Sequence, residues 1–205
     1  MLMDSKAMKS AKVGSVITFG RFPQGKRGKV KPIEWRVLKK EEDGTLFLIS
    51  EKALEYLDFD GFQLCPLFAF TFIHLWLNDY FFNKAFTEKE RELIRVTAVD
   101  NSPASTGVDD NPNTGPDTKD FVFPLSIKEV NELFKDEKDR QCKPTDYAIS
   151  HGISIDEGGN CVWWLRSPFP EPDTPIAYCV DEHGDISYDY LDIEFGIRPA
   201  IRILP

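Results

Sequence analysis

The chain has 205 residues, of which 41% are hydrophobic and 29% are charged, and this balance predicts a soluble globular protein and excludes a disordered one. The formal net charge of -9 at pH 7 argues against nucleic acid or an anionic membrane as the main partner. The length suits one sizeable domain. We expect a flexible N-terminal segment over residues 1–14 and a single domain over residues 15–205.

The cysteines and the N-terminal residues indicate the cellular compartment in which the protein resides. Residues 1–12 contain no apolar signal segment, and the four cysteines form no C-x-x-C pair (Cys65, Cys142, Cys161, Cys179). We therefore predict free, mostly buried thiols in a cytoplasmic protein; a disulfide from Cys161 to Cys179 would require export. With this spacing and three histidines we predict no metal site and no cofactor.

The first predicted elements are strands. Residues 16–20 form an apolar run that ends at a Gly-Arg-Phe-Pro turn signal, and residues 33–38 alternate strictly between apolar and charged side chains. A turn over residues 41–44 leads into the apolar run 45–50. These three segments predict an antiparallel sheet.

Helical signals follow. Ser50 is placed to cap a short helix over residues 51–56, and large apolar side chains recur at helical spacing over residues 72–82. Thr87 with Glu90 forms a capping-box pattern for a helix that would run to about residue 94.

The second half of the chain begins with a long polar loop over residues 100–120, which predicts a turn-rich or disordered surface segment. A brief apolar strand over 121–125 leads to Ser126, which should cap a helix with Glu129 at the N3 position. A turn over 181–185 lies among the remaining predicted strands, which cover residues 162–166, 176–180, 186–190 and 197–204.

An ordered series of motifs resembles one bacterial family of domains of unknown function. The resemblance spans roughly residues 15–204, and its pieces include Phe19-Gly20-Arg21-Phe22-Pro23-Gln24, PIEWRVL at 32–38, WLN at 76–78, WWLRSP at 163–168 and GIRPAI at 196–201. The last two motifs are also similar to the C-terminal half of C-type-lectin-like folds, which include formylglycine-generating-enzyme-like domains. In those folds a final Gly-x-Arg strand returns to pair with the N-terminal strand.

The resemblance implies an α+β fold: a twisted antiparallel sheet with two or three flanking helices in a C-type-lectin-like arrangement. It does not by itself imply an activity. The copper-binding cysteine pair of formylglycine-generating enzymes has no counterpart here, and the three histidines lie in a helix, a loop and a turn. The calcium motifs of true lectins are also missing, and Glu171-Pro172-Asp173 is interpreted as a proline-rich turn.

The candidate binding residues follow from the aromatic and acidic stretches. Trp163 and Trp164 should point to opposite faces of a strand, so that one packs in the core while the other lines a groove, or both pack in the core. The predicted ligand-binding residues are Trp164, Phe169, Tyr188, Asp189, Tyr190 and Asp192. No catalytic residue is predicted, because no serine or cysteine has a convincing basic partner.

Two arginines, Arg166 and Arg198, lie inside apolar strands, where a charge is costly unless an acidic group meets it. We predict a structural role for both, with carboxylate partners such as Glu34, Asp181 or Asp192. The sequence as a whole favours a non-enzymatic module that recognises an unknown sugar, peptide or protein ligand. The alternatives are a metal-dependent enzyme related to formylglycine-generating domains and an intracellular structural or interaction protein.

Overall fold

A computed structural model describes residues 5–62 and 64–205, and over these residues the fold is α+β with more sheet than helix. The strands are β1 (Val16–Gly25), β2 (Lys29–Lys40), β3 (Leu46–Ser50), β4 (Lys52–Ala53), β5 (Glu55–Asp58), β6 (Thr97–Val99), β7 (Thr118–Asp120), β8 (Val122–Phe123), β9 (Lys143–Pro144), β10 (Trp163–Pro168), β11 (Ile176–Val180), β12 (Ile186–Tyr190), β13 (Glu194–Ile197) and β14 (Ala200–Ile203).

The helices are short, and they are α1 (Ser5–Ser10), α2 (Phe72–Leu75), α3 (Phe82–Ala85), α4 (Glu88–Arg91), α5 (Ile127–Leu133), α6 (Glu137–Arg140) and α7 (Asp146–His151). A π-helical stretch, Trp76–Phe81, joins α2 to α3, so residues 72–85 are continuously helical. This confirms the helix predicted from apolar spacing, while the number of helices exceeds the predicted two or three.

The described residues form two five-stranded sheets and two small two-stranded ones, β4-β9 and β6-β7, where one sheet was expected. The first has the order β1-β2-β3-β14-β8, and the second has the order β12-β11-β10-β13-β5. The predicted strand over residues 197–204 is split between them, with β13 in the second sheet and β14 in the first. Pro199 lies at the break, and its missing backbone N–H cannot continue a ladder. Buried side chains from both sheets share one hydrophobic core.

The first sheet confirms the antiparallel arrangement predicted for the N-terminal strands. In β2, Ile33, Trp35 and Val37 are buried, whereas Glu34 is exposed. The final strand β14 pairs with β3 and β8, and β1 pairs with β2 at the sheet edge. The pairing of the final strand with the N-terminal strand, as in C-type-lectin-like folds, is therefore not found.

The helix predicted over residues 51–56 is wrong. Ser50 does not cap a helix; its hydroxyl donates to the carbonyl of Lys52 at 2.8 Å. The segment forms β4, parallel to β9, and β5, antiparallel to β13. The Leu54 N–H donates to the Ile197 carbonyl at 2.8 Å, so long-range strand pairing outweighs the local capping preference.

Both predicted capping boxes are confirmed. Thr87 and Glu90 close the start of α4, although this helix ends at Arg91. At α5 the Ser126 hydroxyl accepts from the Glu129 N–H at 3.2 Å, and the Glu129 carboxylate accepts from the Ser126 N–H at 2.9 Å. These local patterns form as predicted because their partners are three residues apart.

Residues 1–4 of the predicted flexible segment lie outside the described residues. From residue 5 the chain forms α1, with Met8 buried and the Lys40 ammonium donating to the Lys9 carbonyl at 2.8 Å. The division at residue 14 stays a prediction. The polar loop over 100–120 is turn-rich and has a 3₁₀ turn at Pro103–Thr106.

Candidate functional site

The two tryptophans of β10 point to opposite faces of the second sheet, and both are 0% exposed. Trp163 donates its indole N–H to the Arg140 carbonyl at 3.2 Å and packs near Phe134. Trp164 lies edge-on to Phe59 at 5.4 Å. The prediction that Trp164 faces a groove is therefore wrong, because β10 is an inner strand that is covered on both faces.

The arginines are buried, as their structural role requires, but their partners differ from those predicted. Arg166 donates to the Glu129 carboxylate at 2.5 Å. Arg198 meets no carboxylate within the described residues; it donates to the Ser50 carbonyl at 2.9 Å and lies 5.0 Å from the Trp163 ring centre. Neither arginine pairs with the carboxylates named from the sequence, which were Glu34, Asp181 and Asp192.

Four aromatic side chains form a surface, here called the aromatic strip, made of the half-buried Phe169 and Tyr178 and the exposed Tyr188 and Tyr190. Tyr178 and Tyr188 are directly opposite in the β11–β12 ladder, and the Phe169 ring lies 4.3 Å from Tyr188 and 5.4 Å from Tyr178. Tyr188 and Tyr190 are 53% and 55% exposed. Residues two apart share a face of a strand, so both tyrosines are presented on the same side of β12.

The strip lies on an edge strand. β12 pairs with β11 only, so its other side has backbone groups that no strand of the described chain meets. Burial raises the pKa of Tyr178, and the neighbouring Tyr188 raises it further, so this phenol stays neutral at physiological pH. The arrangement offers flat rings and backbone hydrogen-bonding groups side by side.

The other predicted site residues lie around the strip. Asp189 is on the opposite face of β12, across from Ala177, and its carboxylate accepts from the Tyr190 N–H at 2.8 Å. Asp192 is exposed in the turn after β12. Trp164 is directly opposite Cys179, which places it on the other face of the sheet from the strip. The structure thus brings together Phe169, Tyr188 and Tyr190 and leaves Trp164 out.

Three residues of the site were missed. Tyr178 belongs to the strip, and its position could have been found from the register of a β11–β12 hairpin around the predicted turn. Asn111 donates to the Pro168 carbonyl at 2.9 Å, and Asn113 donates to the Phe169 carbonyl at 2.7 Å. These two side chains of the long polar loop fix the segment that carries Phe169, and nothing in the local sequence indicates this contact.

The segment of the chain that carries the strip is strongly acidic. Residues 167–197 include no lysine or arginine, and the eight acidic residues in this segment are Glu171, Asp173, Asp181, Glu182, Asp185, Asp189, Asp192 and Glu194. Within residues 167–197, only His183 can carry a positive charge. The segment therefore generates a negative potential beside exposed aromatic rings.

A cavity of about 500 Å³, here called the end pocket, lies at the Tyr190 end of the strip. Pro175 lines the pocket and precedes Ile176, the ladder partner of Tyr190. Leu64 and Asp173 also line it, with φ values of 54° and 59°, a left-handed conformation that costs free energy in non-glycine residues. The remaining lining is largely apolar and comes from Pro66, Leu67 and Pro112, with Cys65, Asn113 and Thr174.

Two histidines pair with carboxylates away from the strip. His74 lies 2.8 Å from Asp120, and His151 lies 2.7 Å from Glu55. Burial raises the pKa of Glu55, although the hydrogen bond from His151 opposes the shift. Within residues 5–62 and 64–205, no group of three or more histidine, cysteine, aspartate or glutamate side chains could hold a metal ion. The helices of the same residues are too short and too polar to cross a membrane.

Comparisons with known proteins identify a family. No curated protein and no solved structure matches the chain. One family model, described as a domain of unknown function (DUF6273), matches residues 68–205, which are more than half of the chain and include β6 to β14 with the aromatic strip. The chain belongs to this family of domains of unknown function.

Proposed function

We propose that the protein is a non-enzymatic recognition module that binds an extended, basic segment of another protein along β12. The observation that carries this proposal is the aromatic strip itself: exposed tyrosines on an open edge strand inside a segment with eight acidic residues and no lysine or arginine. The open edge, the rings with the carboxylates, and the end pocket each match a different feature of such a ligand.

The open edge of β12 supports an extended ligand. A peptide that adds as a further strand forms main-chain hydrogen bonds with the edge, and its alternate side chains then meet the flanking surfaces. The tyrosines on one face of β12 would contact every second side chain of the bound segment.

The rings and carboxylates support a basic ligand. Lysine and arginine side chains bind over tyrosine and phenylalanine faces, and this attraction adds to that of the surrounding acidic residues. The same charge disfavours nucleic acid and anionic lipid, in agreement with the net charge of -9.

The end pocket supports a site for an apolar side chain of the same ligand. Its leucine and proline lining suits an aliphatic group, and Asp173 adds a carboxylate to the lining. The strained backbone of Leu64 and Asp173 is of the kind that persists where the surrounding structure holds it for a binding role.

The proposal includes a C-type-lectin-like arrangement and a single domain over residues 15–205. The β11–β12 hairpin that follows the aromatic strand β10 supports the likeness, although the final strand pairs differently. The proposal also places the protein in the cytoplasm, which the four free cysteines support.

Binding can be tested by isothermal titration calorimetry. The probe is a synthetic peptide that alternates lysine or arginine with leucine, and an acidic peptide of the same length is the comparison. We expect the basic peptide to bind and the acidic one not to bind. The Tyr188→Ala variant should lose about tenfold in affinity, which corresponds to about 1.4 kcal/mol.

A matched control is Tyr80→Ala. Tyr80 is 53% exposed, as Tyr188 is, but it lies on the π-helical stretch outside the acidic segment. This variant should bind the basic peptide as the unchanged protein does. Equal losses for both variants, or binding of neutral oligosaccharides in place of the peptide, would overturn the proposal.

A further inference from the structure

Two buried cysteines, Cys142 and Cys161, are neighbours in space. The Cys161 backbone N–H donates to the Cys142 carbonyl at 2.8 Å, and both residues are about 1% exposed. Residues joined by such a backbone hydrogen bond lie at the separation that a disulfide bond spans.

A buried arginine lies beside this pair. The Arg198 Nε donates to the Ser50 carbonyl at 2.9 Å, while the Cys142 sulfur lies 3.9 Å from the carbonyl oxygen of the next residue, Glu51. Arg198 also donates to the Arg140 carbonyl at 3.3 Å, two residues before Cys142. These hydrogen bonds place the guanidinium close to the two segments that flank the Cys142 side chain, residues 50–51 and 140–142.

This guanidinium lies near two aromatic rings, 5.0 Å from the centre of Trp163 and 5.5 Å from the centre of Phe134. Its Nη2 atom is buried and has no hydrogen-bond partner among the described residues. No carboxylate pairs with Arg198 there either. A buried and unpaired positive charge is strongly destabilising, so a negative group beside it is expected.

We propose that Cys142 and Cys161 form a reversible, peroxide-responsive disulfide pair, in which Cys142 reacts as the thiolate and the nearby Arg198 stabilises its negative charge. The site is separate from the aromatic strip and does not depend on the proposed function. It supplies the negative charge that the environment of Arg198 lacks.

The electrostatics of the pair agree with these roles. Burial raises the pKa of Cys142, but the interaction with Cys161 and the charge of Arg198 outweigh burial and bring the pKa to about 7. The same thiol–thiol interaction, together with burial, raises the pKa of Cys161. Other charges that act on the pair are those of Arg36, Glu51 and Asp156.

The oxidation balances with hydrogen peroxide as the oxidant. The Cys142 thiolate attacks one peroxide oxygen, the O–O bond breaks, hydroxide leaves, and Cys142 becomes a sulfenic acid. The Cys161 sulfur then attacks the Cys142 sulfur; the S–S bond forms, the S–O bond breaks, and the thiol proton leaves with the hydroxyl group as water. Two electrons pass from the sulfurs to peroxide, and a dithiol reductant reverses the reaction by exchange.

A surface cleft lies close to the buried pair. This cleft of about 250 Å³ is lined by Arg36, Glu51 and Asp139. Glu51 also contacts the Cys142 sulfur through its carbonyl, so one residue separates the cleft from the thiol. Peroxide is small enough for a local opening at this residue to admit it.

The experiment treats the folded full chain with hydrogen peroxide, blocks free thiols with iodoacetamide under denaturing conditions and analyses tryptic peptides by mass spectrometry. Both cysteines lie in one tryptic peptide, 141–166, because its internal lysine, Lys143, precedes a proline. We expect this peptide to lose two hydrogen atoms and to carry no label. Cys179 should stay fully labelled.

Cys179 is the matched internal control because it is equally buried, while burial raises its pKa without an arginine to oppose the shift. In the Cys161→Ser variant, Cys142 should accumulate as sulfenic or higher acids, and in Cys142→Ser, Cys161 should stay reduced. Full labelling of 141–166 in the treated protein, or oxidation of Cys179 at the same rate, would overturn the proposal.

The charge of Arg198 is tested by the rate of oxidation against pH. In the unchanged protein the oxidation rate should reach half its maximum near pH 7, because the pKa of Cys142 is about 7. A midpoint above pH 9 would contradict the ion pair with Arg198. The folded Arg198→Lys variant should react more slowly at pH 7, by up to about tenfold, because lysine cannot reproduce the guanidinium contacts.

Discussion

The second sheet has two edges, and the described chain covers only one of them. At the β5 edge, α7 packs against the strand, and His151 pairs with Glu55 at 2.7 Å. Gly152, at the end of α7, lies against the Tyr56 ring. At the β12 edge, Tyr188 and Tyr190 remain more than half exposed.

This difference in exposure between the two edges determines which aromatic residues are available for recognition. Aromatic side chains on β5, β10 and β12 are similar in type, but their exposure depends on what lies over each strand. Proteins usually protect an open edge from pairing with other chains. An uncovered edge that combines tyrosines with carboxylates is therefore the feature that carries the proposed function.

The largest expected effect comes from the inner strand. Replacing Trp164 by alanine removes a fully buried indole that packs on Phe59 and Phe195, so the free energy of unfolding should fall by about 4 kcal/mol. Urea denaturation followed by circular dichroism measures this loss. A loss below about 1 kcal/mol would mean that β10 is not the covered centre of the sheet.

The next effect concerns the buried charge on β10. Glu129→Ala should lower the free energy of unfolding by about 3 kcal/mol, because it leaves Arg166 buried without its carboxylate and opens the capping box of α5. Glu132→Ala, on the exposed side of the same helix, is the control and should change stability by less than about 0.5 kcal/mol. Equal stability of the two variants in urea would contradict the ion pair.

The sequence predicted features that depend on nearby residues. β11 and β12 have the predicted bounds, and the capping boxes at Thr87 and Ser126 form as expected. It could not predict that residues 52–58 form strands, since their partners, β9 and β13, lie far along the chain.

For the candidate site, sequence alternation placed the two tryptophans on opposite faces, but it could not show that both faces are covered. The contact that fixes Phe169 comes from Asn113, which is 56 positions away. Likewise, the partner of Arg166 is Glu129, which the local pattern assigned to a helix cap only. Exposure and charge pairing are properties of the assembled sheets.

A smaller effect tests the covered edge. Burial raises the pKa of Glu55 above its ordinary value of 4.5, so the folded protein holds this proton more tightly than the unfolded chain does. The contribution of Glu55 to stability is therefore greatest at low pH and is lost as the pH rises from 4.5 through the raised pKa.

The Glu55→Gln variant has no such proton. As the pH rises through this window, the unchanged protein should therefore lose stability relative to the variant. Urea midpoints measured from about pH 4 to pH 7 give the difference. A constant difference would show that α7 does not bury this carboxyl group.

The smallest expected effect is at the open edge. Tyr188→Ala should change the free energy of unfolding by less than about 1 kcal/mol, because half of the ring is already in water and β12 pairs on one side only. The same urea experiment measures it. A loss as large as that of Trp164→Ala would place Tyr188 in the core instead of on a binding surface.

Amide hydrogen exchange, with and without the basic peptide, tests the central claim most directly. The account predicts that the peptide slows exchange in β12, Ile186–Tyr190, and leaves β5, Glu55–Asp58, unchanged. Slower exchange in β5 with no change in β12 would contradict the claim that the open, aromatic edge is the recognition surface.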